Sequence, residues 1–112
     1  MQKFEYRTPR YKVDLPVLLT LTDATIPGRC KEISKEGMRV ELRDPVVADT
    51  SGTVSLSYKN LALELRVSVA HTGKGSDGLR FLFDTEEDRS AVERLVALLS
   101  GPSGQAGPVL VR

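Results

Sequence analysis

The side chains best suited to chemistry in this chain lie in two short segments about twenty residues apart. The first, Tyr6-Arg7-Thr8-Pro9-Arg10, places two arginines around a proline. An arginine fork donates two hydrogen bonds to the O6 and N7 atoms of guanine or to a phosphate, and its face stacks on a base. Pro9 fixes its own φ and holds Thr8 extended, so Arg7 and Arg10 are expected on a stiffened arm able to clamp an anionic nucleotide. The second segment, Glu32-Ile33-Ser34-Lys35-Glu36-Gly37, offers complementary groups. Glu32 can accept from the N1–H and N2–H₂ donors of guanine, and Ser34 can donate to a phosphate oxygen or brace the turn. Gly37 permits positive φ and close approach of the backbone to a ligand. Taken alone, each segment also suits a plainer role. The first reads equally as a solvated arm, the second as a polar strand connection whose serine bonds locally.

Other chemistry is poorly supported. His71 and Cys30 are the only histidine and cysteine, so no zinc-ligand spacing exists and no internal disulfide is possible. Ser34 lacks the G-x-S-x-G surroundings of a nucleophile, and nothing marks His71 as its base. The loop Gly73-Lys74-Gly75-Ser76-Asp77-Gly78 lacks the G-K-[ST] ending of a phosphate loop and reads as a flexible hairpin. Cys30 reads as a packing residue. No catalytic residue, metal or cofactor is expected, and the protein is not expected to be an enzyme. With 16 basic and 15 acidic residues the net charge is +1, short of the basic excess of duplex DNA binders. Three Phe, three Tyr and no Trp leave few platforms for stacking single-stranded nucleic acid. No apolar run approaches the roughly 18 residues of a membrane helix, so membrane insertion is not expected. The charged start carries no secretory signal, and the lone cysteine fits a reducing compartment; a cytoplasmic location is expected.

The elements that must position the two segments are mostly strands. At 112 residues the chain has room for one domain. Val17, Leu19 and Leu21 alternate along a first strand that tolerates Pro16 at a start or edge. Thr25 to Gly28 reads as a bend, followed by a second strand over Arg29 to Ile33. Met38, Val40 and Leu42 alternate with Arg39, Glu41 and Arg43, and Val54, Leu56 and Tyr58 repeat the pattern. Lys59-Asn60 is a turn into Leu63, Leu65, Val67 and Val69, and Leu79 to Phe83 forms the last strand. The period then changes. Thr85 or Asp84 caps a helix whose first turn holds Glu86, Glu87 and Asp88, and whose Val92, Leu95, Val96 and Leu99 form one apolar stripe. Gly101-Pro102 stops it. The expected organisation is an N-terminal arm over 1–12, a barrel plus helix over 13–101 and a poorly ordered tail over 102–112. The fold class is all-β in the main, a six-stranded antiparallel barrel with one C-terminal α-helix.

Within that frame the chain resembles the PilZ domain family, whose pattern is R-x-x-x-R followed by [D/N]-x-S-x-x-G. The resemblance covers R-T-P-R-Y before L-P-V, the E-x-S-x-x-G turn, and G-L-R-F near the last strand. It implies the same barrel and helix, and a receptor for cyclic di-GMP that relays the messenger to a protein partner. Carried over by position, Arg10, Ser34 and Gly37 match the motifs, with Arg7 and Glu32 nearest the altered letters. Tyr6 stands where the first arginine belongs, and Glu32 replaces the aspartate or asparagine. Tyr6 stacks on guanine without the forked contact, and Arg7, one residue on, tends to point to the other face. Losing both contacts costs about 2–5 kcal/mol of binding, on the order of 30- to 5,000-fold. The alternative implied by those departures is a degenerate PilZ domain that binds no cyclic di-GMP and serves as a protein–protein adaptor in motility or pilus assembly.

Overall fold

Alternation of apolar and polar residues builds the barrel. A computed structural model describes residues 9–100 of the chain. Its elements are β1 (Tyr11–Thr20), β2 (Thr25–Ile33), β3 (Gly37–Leu42), β4 (Ser51–Tyr58), β5 (Leu61–Thr72), β6 (Asp77–Leu82) and α1 (Glu86–Ser100). The strands close antiparallel in the order β1-β2-β3-β6-β5-β4. The fold is therefore the expected six-stranded barrel with a C-terminal helix.

The inward positions form one core. Val17 and Leu19 of β1, Val40 of β3, Val54 of β4, Leu65, Val67 and Val69 of β5, and Leu79 and Phe81 of β6 are all buried. Burying each such side chain contributes about 1.5–3 kcal/mol. The helix stripe Val92, Leu95, Val96 and Leu99 is equally buried and joins that cluster, so α1 is held by its apolar face. Its start is capped as the sequence suggests. Thr85 Oγ1 accepts from the Asp88 backbone N–H at 3.2 Å, and the Asp88 carboxylate accepts from the Asp84 N–H at 3.1 Å. No helix among the described residues is long and apolar enough to cross a membrane.

Three boundaries differ from expectation. β1 starts at Tyr11, so the last two residues of the expected arm are strand. Thr25 to Gly28 is the start of β2 and not a bend; the chain turns earlier, where the Leu21 N–H meets the Ala24 carbonyl at 2.7 Å. Pro27 and Gly28 sit in register with Leu18 and Val17, and tertiary pairing overrides their turn preference. The expected loop over residues 73–78 ends early, because β6 already includes Asp77 and Gly78. Pro16 pairs with Arg29 of β2, while β1 meets β4 only at Leu18, Leu19 and Thr20, so at Pro16 the strand has an edge on its β4 side, where proline is tolerated. The arm carrying Tyr6 and Arg7 and the tail after residue 100 lie outside the described residues.

Candidate functional site

Between β2 and β5, on the outer face of the β3–β6 pair, the barrel wall carries an open groove of about 510 Å³. Two β-bulges shape it. On β2 the residues Cys30 and Ile33, three apart, are both buried, so the alternation slips by one between them. The ladder records the slip: Cys30 pairs with Val40 and Glu32 with Arg39, leaving Lys31 as the extra residue. Without it, Glu32 would share the inward phase of Cys30. On β5 the same thing happens at Ala70, between Val69↔Leu79 and His71↔Gly78. His71 is thereby turned out of the phase of buried Val69 and faces the groove.

Two glycines interrupt the side chains on the floor between the bulges. In the β3–β6 ladder Gly37 pairs with Arg80 and Arg39 with Gly78, so each arginine faces a glycine across the strands. A Cβ at Gly37 would drive into the Leu79 carbonyl, and one at Gly78 would lie 2.5 Å from His71 Nε2. Close approach of backbone requires glycine at position 37, whereas at Gly78 the neighbour is the His71 ring, a side chain able to swing aside. Gly37 does not use the positive φ that glycine permits; Gly75 is the glycine that does so among the described residues.

The charged groups are organised around Glu32. Its Oε1 lies 3.5 Å from Arg10 Nη1 and 3.7 Å from Arg39 Nε. The Glu32 side chain is 20% exposed, against 66% for Arg10 and 39% for Arg39. One carboxylate oxygen thus bridges two guanidiniums whose solvent-facing sides remain open. Arg80 and His71 add donors on the opposite wall, and Glu36 lines the rim. Outside the groove, Arg29 and Lys31 converge on Asp14 Oδ1, Lys31 at 3.4 Å. The Arg29 hydrogen bond is the main reason the Asp14 carboxyl is held below its ordinary range.

Ser34 is committed to the turn. Its Oγ accepts from the backbone N–H of Glu36 at 3.1 Å and of Gly37 at 3.3 Å, and donates to the Gly37 carbonyl at 3.4 Å. The Ser34 N–H also reaches Gly37 O at 2.9 Å, and the Phe81 N–H reaches Glu36 O at 2.9 Å. The serine therefore shapes the β2–β3 connection, and the Glu36 carbonyl ties that connection to β6. Cys30 lies beneath the bulge, fully buried, with its thiol on the Glu32 carbonyl at 3.3 Å. Burial pushes that thiol up to about 12. Among the described residues no group of three His, Cys, Asp or Glu side chains stands close enough to hold a metal ion.

Of the residues singled out in the sequence, Arg10, Glu32, Ser34 and Gly37 come together at this groove, while Arg7 lies outside the described residues. Sequence reasoning missed Arg39, His71 and Arg80. Arg39 carried a usable signal, since Gly37 and Arg39 are two apart on a strand and share a face. His71 and Arg80 carried none, because their placement depends on a bulge and on the nonlocal β3–β6 pairing.

The PilZ domain family model matches residues 5–98. The chain belongs to the PilZ domain family. Its barrel is similar to the crystal structure of the PilZ domain of CeSA from a cellulose-synthesizing bacterium, with a TM-score of 0.74 and 18% identity over 84% of this chain and 100% of that one. It is similar to the Escherichia coli YcgR PilZ domain with c-di-GMP, at a TM-score of 0.70 and 14% identity over 83% and 89% of the two chains. A third is the Bacillus subtilis inhibitor of motility MotI/DgrA, with a TM-score of 0.61 and 15% identity over 86% of this PilZ domain and 53% of that chain. At these identities the likeness is one of fold. No curated protein matches by sequence.

Proposed function

We propose that this PilZ domain is a cytoplasmic receptor that binds cyclic di-GMP in the outer groove and passes the signal to a protein partner, acting by binding and not by catalysis. The observation that carries the reading is the pair of guanidiniums, Arg10 and Arg39, on either side of Glu32 and next to the Ser34–Gly37 turn. Two forks at that spacing suit a phosphodiester and a guanine edge together. Gly37 and Gly78 add no side chains of their own to the groove, and the His71 ring lying against Gly78 offers a flat face for a base. Membership of a family that includes a domain holding c-di-GMP supports the same ligand.

In this reading Arg39 supplies from β3 the second guanidinium that Tyr6 does not. Ser34 and Gly37 keep the turn in shape, while Arg80 and His71 line the far wall. Ligand bound against Arg10, which adjoins β1 and the arm, gives the partner a changed N-terminal surface to read.

The second reading, an adaptor that binds no cyclic di-GMP, is favoured by Tyr6 in the motif and by the Glu32 carboxylate already occupying both arginines. Calorimetric titration with cyclic di-GMP to about 1 mM separates the two, since that range reaches affinities as weak as about −4 kcal/mol. The receptor predicts saturable heat, with amide shifts at Arg10, Ser34 and Arg39. Neither signal at the highest concentration leaves the adaptor.

A further inference from the structure

Both arginines that the receptor reading assigns to the ligand already have an anion. Glu32 Oε1 is 3.5 Å from Arg10 and 3.7 Å from Arg39, so the same oxygen is ion-paired with both guanidiniums. This carboxylate is 20% exposed and is held outward by the Lys31 bulge, beside the thiol-bearing Cys30 below. A phosphodiester entering the groove needs the same donors from the same side. Carboxylate and phosphate oxygens compete for guanidinium forks with similar geometry. Two cations bridged by one oxygen also repel each other once that oxygen is removed, which sharpens their demand for a replacement anion.

We propose that Glu32 is the internal counter-ion of the groove, occupying Arg10 and Arg39 in the empty protein and yielding both to the incoming phosphodiester. The proposal rests on the receptor reading for the identity of the ligand. The bracket itself rests on the geometry of Glu32 alone. Its role is regulatory in effect: the carboxylate sets how much anion is needed to open the groove, and keeps the arginines at a fixed spacing until then. It also inverts the role that the family motif implies for this position. A carboxylate that accepts from guanine strengthens binding, whereas one that competes with phosphate weakens it.

The sign of one substitution decides between them. Glu32→Gln keeps the size of the side chain and removes the charge. Each partly exposed ion pair is worth about 0.2–1 kcal/mol, so freeing two arginines tightens anion binding about twofold to thirtyfold. Glu36→Gln is the matched comparison, because Glu36 lines the same groove and forms no ion pair with Arg10 or Arg39. It removes equal charge and reports the through-space contribution, expected below about twofold. Binding is measured on the full chain by amide and arginine Nε–H shifts, with inorganic pyrophosphate as one probe and cyclic di-GMP as the other. A larger gain for Glu32→Gln than for Glu36→Gln with both probes is the expected result. Equal gains with pyrophosphate in the two variants overturn the bracket. Weaker cyclic di-GMP binding by Glu32→Gln also overturns it and returns Glu32 to the guanine edge. If cyclic di-GMP binds no variant, the receptor reading fails, and the pyrophosphate comparison still decides the counter-ion.

Discussion

The β4–β5 ladder and the β3–β6 ladder belong to one barrel but are built on different terms. β4 and β5 pair without interruption from Ser51↔Ser68 to Tyr58↔Leu61, with inward Val54, Leu56, Leu63, Leu65 and Val67 packed in the core. β3 and β6 share a shorter ladder, and both neighbouring ladders slip, at Lys31 on one side and Ala70 on the other. On the regular wall, the alternation that buries the core also determines what faces solvent. On the slipped wall the extra residues separate those two decisions, so that Glu32 and His71 face outward without exposing Ile33 or Val69. The groove is shaped by irregularity, and the core by regularity.

That contrast is easiest to break at Gly37. Gly37→Ala drives a methyl group into the Leu79 carbonyl, and the β3–β6 strands must part to accept it. The expected loss is about 2–4 kcal/mol in urea unfolding. Ser57→Ala, an exposed change on the regular ladder, is expected to stay within about 0.5 kcal/mol. Equal losses would mean that the glycine floor is not a constraint of close packing.

The arginines invert that asymmetry, changing binding in place of stability. Arg39→Ala removes one fork of the proposed site and is expected to weaken cyclic di-GMP by about 1–3 kcal/mol, fivefold or more, with stability almost unchanged. Arg66→Ala breaks the exposed Arg66–Asp84 pair at 3.3 Å on β5 and is expected to leave that affinity alone. A calorimetric titration of both variants checks the pair, and similar losses from the two would place the ligand elsewhere.

The same contrast explains what the sequence made legible. Strand alternation in Val54-Leu56 and Leu63-Leu65-Val67-Val69 is local, so the regular wall and the helix stripe could be read directly. Ser34 and Gly37 stood out because turn chemistry is local as well. The bulges were hidden, since an extra Lys31 or Ala70 looks like any polar or small strand residue until its partner strand is known. Arg80 and His71 were hidden with them. Pro27 and Gly28 misled for the opposite reason, as strong local turn signals overruled by pairing with β1.

Cys30 probes the slipped wall from beneath. Its thiol is pushed up to about 12 by burial, from an ordinary value near 9, so the folded protein keeps a proton that the unfolded chain has lost. The contribution of this group is full below about pH 9 and declines as pH rises toward about 12. The slope is about 1.4 kcal/mol per pH unit. Cys30→Ala is expected to be less stable at neutral pH and to show a shallower alkaline decline in urea titrations. Parallel declines in the two proteins would show that the thiol is not shielded under the bulge.

The regular wall has one weak point, and it sets the smallest prediction. Lys59, in the turn from β4 to β5, has a φ of 56°, a left-handed conformation that costs an L-residue about 1–2 kcal/mol. Its ammonium lies 5.6 Å from the centre of the Tyr58 ring, an exposed contact worth about 0.5 kcal/mol. Lys59→Gly removes the strain, forfeits that contact and adds freedom to the unfolded chain, for a net gain of about 0.5 kcal/mol. Asn60 does not share the left-handed conformation, so Asn60→Gly is expected to destabilise by a similar amount. Thermal melts of the two variants should move in opposite directions while cyclic di-GMP affinity stays fixed in both. A change in affinity from this turn would mean that the two walls are energetically coupled, and that irregularity on one is sustained by the regularity of the other.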